Sequence, residues 1–181
     1  MRPRVLLLAV LAPVVAQAQQ VVTPPRQDPP LDSAAQYYRG MLEGLRDALN
    51  AVSTSANELR RDLQTAGDVT VLAKAERLSR TCAAARPPLR EALPALARAR
   101  GGARLASARD SLGMAIRALD TGLDQQCVRG LGPAGPGARA DTVREWARYR
   151  TAKMQHLTAV YQSAAARFAA AMGFKLPVVT Q

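Results

Sequence analysis

Two cysteines, one histidine and a large excess of arginine are the residues here with chemistry to offer. One His rules out any site that needs two. There is no CxxCH for covalent haem, no HExxH, no Glu-x-x-His pair for a di-iron bundle and no pair of CxxC zinc knuckles. No glycine-rich loop with a lysine reads as a phosphate cradle. The chain is therefore expected to hold no metal, no cofactor and no catalytic residues, and to be something other than an enzyme. Cys82 and Cys127 are an even pair, and in an oxidising compartment they should form one disulfide.

Of the 25 basic residues, 22 are Arg and 3 are Lys, against 14 acidic residues. Together with 36 alanines this reads in part as a compositional habit of the whole chain. One stretch still stands out. Arg86, Arg90, Arg98, Arg100, Arg104 and Arg109 face Glu91 alone between residues 86 and 109, a candidate basic face. No aromatic residues interleave them for base stacking, so nucleic acid is not the expected partner. An acidic protein, a polysaccharide or an anionic lipid surface fits better.

The first 18 residues read as an address. Arg2 and Arg4 precede an apolar run, Val5 to Val15, and Ala16-Gln17-Ala18 is a small-x-small cleavage signal. The run is far shorter than the roughly 20 residues a spanning helix requires. A cleaved signal peptide at 1–18 makes the mature chain exported, either periplasmic or secreted, in a bacterial-type envelope. No transmembrane segment is expected in it.

Residues 19–31 hold Pro24, Pro25, Pro29 and Pro30 and should form an extended tether. Helical periodicity then takes over. Ser33 and Gln36 form a capping box. Tyr38, Leu42, Leu45, Leu49, Val52, Ala56, Leu59 and Leu63 make a heptad seam that ends near Gly67. Asp68 could cap a second helix with the stripe Val71, Ala75, Leu78 and Cys82, which Pro87-Pro88 should interrupt. Gly101-Gly102 turns the chain into a third helix carrying Leu105, Ala108, Leu112, Ile116, Leu119, Leu123 and Cys127. A Gly- and Pro-rich connection covers 130–140. Thr142 and Glu145 form a second capping box, and a last helix runs to Gly173. Its stripe is Val143, Trp146, Arg150, Met154, Leu157, Tyr161, Ala164, Phe168 and Met172. No useful length alternates with period two. The expected fold is all-α: an up-down-up-down four-helix bundle over 32–173 with a proline-interrupted second helix, its first and last helices side by side, and a tail at 174–181.

Arg150 is the odd residue in that scheme, a charge at the centre of an apolar stripe. It must be paired or must snorkel to water. Height along the bundle places it near Asn57 and Ser53 on the first helix and near Asp120 and Asp124 at the end of the third. These five residues are a candidate buried polar or anion site, and Arg150 is expected to be at least half buried. Met41 and His156 superficially match a haem b ligand pair on first and last helices. Counting 100° per residue turns His156 away from its stripe, and the two heights differ by about 12 Å. A small-ligand or b-type haem module within the bundle is the alternative function; an interaction protein engaging an acidic partner is the main expectation.

Overall fold

The computed structural model describes residues 32–131 and 139–176. The expected signal peptide and tether, most of the Gly- and Pro-rich connection, and residues 177–181 lie outside them. Within the described residues the chain is all-helical, with no strand. There are four rods. Helix α1 is Ser33–Asp62, α2 is Asp68–Ala97 and α3 is Ala103–Gly122. Helix α3 passes without a break into a π segment, Leu123–Val128, and a one-turn α4, Arg129–Leu131. Helix α5 is Ala140–Ala171. Among the described residues no helix is long and apolar enough to cross a membrane.

The helix starts differ from the sequence expectation. Asp32, not Ser33, caps α1, its carboxylate accepting from the Ala35 N–H at 2.6 Å. Asp and Ser are equally good N-caps, so the earlier residue adds a position without cost. Gly67 stands at the N-cap of α2, and Asp68 sits inside the first turn, where a negative charge meets the positive dipole end. Helix α5 begins at Ala140, ahead of Thr142 and Glu145. It ends at Ala171, and Gly173 just beyond takes a φ of 83°, the left-handed conformation that glycine supplies after a helix. Phe174, expected in the tail, is only 5% exposed and belongs to the core.

The prolines do not break α2, which runs through Pro87, Pro88 and Pro94. Each proline removes the N–H owed to the carbonyl four residues earlier. Those carbonyls belong to Ala83, Ala84 and Arg90, all on exposed positions, where water can satisfy them. The opposite face carries Leu78, Cys82, Ala85, Leu89, Ala92 and Leu96, all nearly fully buried, and packing holds the helix across the gap.

Helices α1 and α2 run in opposite directions. The Tyr38 hydroxyl donates to the Ala95 carbonyl at 3.1 Å near one end, and Lys74 pairs with Asp62 near the other. Helix α3 packs on α5, and at Gly122 an added methyl group would overlap the Leu157 side chain. The core is continuous through Leu42, Leu78, Leu89, Leu112, Ile116 and Phe168. Tyr161 is also buried, and burial pushes its phenol well above the ordinary tyrosine range.

The outer pair, α1 and α5, is not packed along its length. Tyr38 stacks edge-on against Phe168 at 5.5 Å at one end, and Arg144 donates to the Leu63 carbonyl at 3.2 Å at the other. Between these contacts the seam of α1 turns towards α2. Ser55 and Leu59 become the buried positions, while Val52, Ala56 and Leu63 are left half-exposed. A straight helix drifts about 20° per heptad against a strict seven-residue repeat, so the seam cannot face both neighbours throughout. Trp146, Met154 and Leu157 of α5 are half-exposed across the same opening.

Candidate functional site: the π segment and the cleft beside it

The π segment is legible as a phase correction. Leu119, Leu123 and Cys127 stand four apart twice in succession, which would carry a stripe about 80° around an ordinary α-helix. Wider i→i+5 turns absorb that drift. Leu119, Leu123 and Cys127 therefore all face inward, none more than 2% exposed. Cys127 reaches Cys82 of α2, and the two are joined as a disulfide with Cα atoms 6.3 Å apart.

Ionic groups surround the same segment. The Arg86 guanidinium donates to Asp120 at 2.9 Å and also to Asp124. Arg90 meets Asp120 at 3.1 Å, and Arg129 meets Asp124 at 2.8 Å. Asp120 and Asp124, four apart on one face, thus bind three arginines. The Arg86, Asp120 and Asp124 side chains are each less than a fifth exposed.

These pairs rearrange both proposed constellations. Arg150 is an exposed residue of α5, and its guanidinium donates to Gln126 Oε1 at 2.8 Å, not to any of the four side chains expected to pair with it. It reaches the end of the third rod, but Asp120 and Asp124 belong to Arg86. Asn57 and Ser53 are exposed and take no part. Arg150 tolerates its place on the stripe because α1 does not cover that stretch of α5. Among the six arginines of the candidate basic face, Arg86 and Arg90 are neutralised by Asp120 and Asp124. Arg109 pairs with Asp110 at 2.9 Å and donates to the Ala99 carbonyl. Arg98, Arg100 and Arg104 remain exposed at the α2–α3 turn, without a carboxylate partner among the described residues. His156 is exposed, and Met41 is half-buried against the core.

Three participants were not singled out from the sequence. Gln126 is 5% exposed; its side chain accepts from Arg150 and its carbonyl accepts from the Trp146 indole N–H. Its position next to Cys127 was the available signal. Ser55 and Thr81 bond at 3.3 Å between α1 and α2, and the seam alone hid Ser55.

Between α1 and α5 lies a small open cleft with a volume of about 50 Å³. Its walls are Val52, Ala56 and Leu59 on one side and Trp146, Thr151 and Met154 on the other. Leu78 and the Cys82–Cys127 disulfide form the floor. Arg60 is the charged residue in the lining. Such a surface can bind an apolar group. Among the described residues no cluster of three His, Cys, Asp or Glu side chains could hold a metal ion. No family model, curated protein or solved structure matches this chain.

Proposed function

We propose that this chain is an exported, non-enzymatic interaction protein that engages an acidic partner through one basic end. The observation that carries the reading is the contrast among arginines: Arg86, Arg90 and Arg109 are held by carboxylates, whereas Arg98, Arg100 and Arg104 lie exposed at one turn with no acidic partner among the described residues. Unneutralised charge at a single turn is an electrostatic landing site whose attraction falls with salt. In this reading the rods form an up-down-up-down bundle, residues 1–18 are removed as a signal peptide, and a disulfide suits an oxidising periplasmic or extracellular space.

The test is retention on polyglutamate-coated beads at low and then high salt, using protein collected from the exported fraction. The wild type should bind and elute with salt, with Gln19 as its first residue. R98Q/R100Q/R104Q should elute at markedly lower salt, while R90Q should elute with wild type. Equal elution of the triple variant and wild type would remove the basic end as a binding surface.

A further inference from the structure

We infer that the outer face of α5 is a contact surface for an anionic lipid bilayer, on which the helix lies lengthwise. The surface starts as a pattern in the sequence. Tyr149, Lys153, His156, Val160, Ser163 and Arg167 follow one another at spacings of 4, 3, 4, 3 and 4. At 100° per residue they share an arc of about 80°, and at 1.5 Å rise they span about 27 Å. All six are exposed, turned away from the buried positions Tyr161, Ala165 and Phe168.

The strip carries charge of one sign. From residue 146 to the end of the chain there is no Asp or Glu, while Arg148, Arg150, Lys153, Arg167 and Lys175 fall in the same stretch. The ion pairs of α5 among the described residues are those of Arg144 with Asp68 and Asp141, so the charges of Lys153 and Arg167 stay free. The other rods set carboxylates beside their exposed cations: Arg39 sits with Glu43, Arg80 with Glu76 and Arg109 with Asp110. Uncovered apolar groups stand between the free cations of α5. Tyr149 is 66% exposed and Val160 41%.

Charge and apolar exposure together select the partner. A second copy laid strip to strip would set like charges against each other. An anionic bilayer meets a straight strip along its whole length. Lys153 and Arg167 keep their charged heads among the lipid phosphates while their stems lie along apolar neighbours, and the amphipathic ring of Tyr149 suits the headgroup level. A basic face with interleaved apolar side chains is the pattern of a helix that lies on a membrane surface.

Cosedimentation with vesicles tests this. The wild type should bind phosphatidylglycerol–phosphatidylcholine vesicles, release them as salt rises and ignore vesicles of phosphatidylcholine alone. K153Q/R167Q should bind at least about tenfold more weakly, because each basic side chain near an anionic surface adds several-fold to the attraction. Y149S/V160S should weaken binding by several-fold at unchanged charge. Lipids brominated along the acyl chain should quench V160W beyond the wild type, whereas M114W, exposed on α3, should show no added quenching.

The inference is independent of the basic end. R98Q/R100Q/R104Q should bind the vesicles like wild type, so failure of one reading is distinguishable from failure of the other. Absence of binding by the wild type would overturn the inference, as would equal binding to neutral vesicles, a K153Q/R167Q variant that binds normally, or M114W quenched as strongly as V160W. Retention on polyglutamate that K153Q/R167Q weakens, with no vesicle binding, would also overturn it, in favour of an acidic protein.

Discussion

Arg86 holds two carboxylates that would otherwise face each other across one turn of the third rod, in a place with little access to water. Removing one partner of a buried ionic cluster is costly because the charge left behind cannot be resolvated. Arg86→Ala should therefore destabilise the fold by about 3 kcal/mol. Arg150→Ala removes one hydrogen bond from a neutral amide beside open solvent, and about 1 kcal/mol is expected. Urea unfolding of the two variants checks the order; an Arg150→Ala loss equal to or larger than that of Arg86→Ala would contradict it. Residue spacing pointed to Arg150 because it treats every position on a stripe as covered. Whether a stripe is covered depends on the neighbouring rod, and here α1 has turned away. Arg86 looked like one more surface arginine, because its partners are 34 and 38 residues further along the chain and no local pattern links them.

At the scale of the element, the π segment decides whether the two sulfurs can meet. Deleting Gln125, whose side chain is exposed, removes the extra residue that the wide turns accommodate, so the rod should relax to α-helical turns with Leu119, Leu123 and the cysteine at spacings of four and three, still on one stripe. The expected outcome is a disulfide that still forms in the deletion variant, with no thiol open to an alkylating reagent; two reactive thiols would refute the phase argument. Helix positions, the α2–α3 turn at Gly101-Gly102 and the cysteine pair were all legible from periodicity and residue type. The survival of α2 through three prolines was not, because local rules count the lost N–H but not the solvent access of the carbonyl it would have met. The cleft was not legible either: it arises from a small angular drift between the seam of α1 and a straight helix, which shows only once three rods compete for one face.

For the molecule as a whole, α2 touches α1, α3, the π segment and α5, and the disulfide fastens it to the rod that carries the π segment. Loop-entropy arguments put that link at about 4 kcal/mol for a separation of 45 residues. It also makes part of the chain a covalent ring. The segment from Cys82 to Cys127 is closed, and between Arg98 and Gly102 it is not helical. That stretch is exposed for the most part and carries Arg98 and Arg100, with Arg104 just beyond, so it is open to a trypsin-like protease. A single cut there would not release either half. Briefly trypsinised protein should run as one species without reductant and as two with it; separation without reductant would show that the ring is not closed. Nicking would convert the basic turn into two loose cationic ends on one intact body, so a single cut changes how this molecule presents its charge without dismantling it.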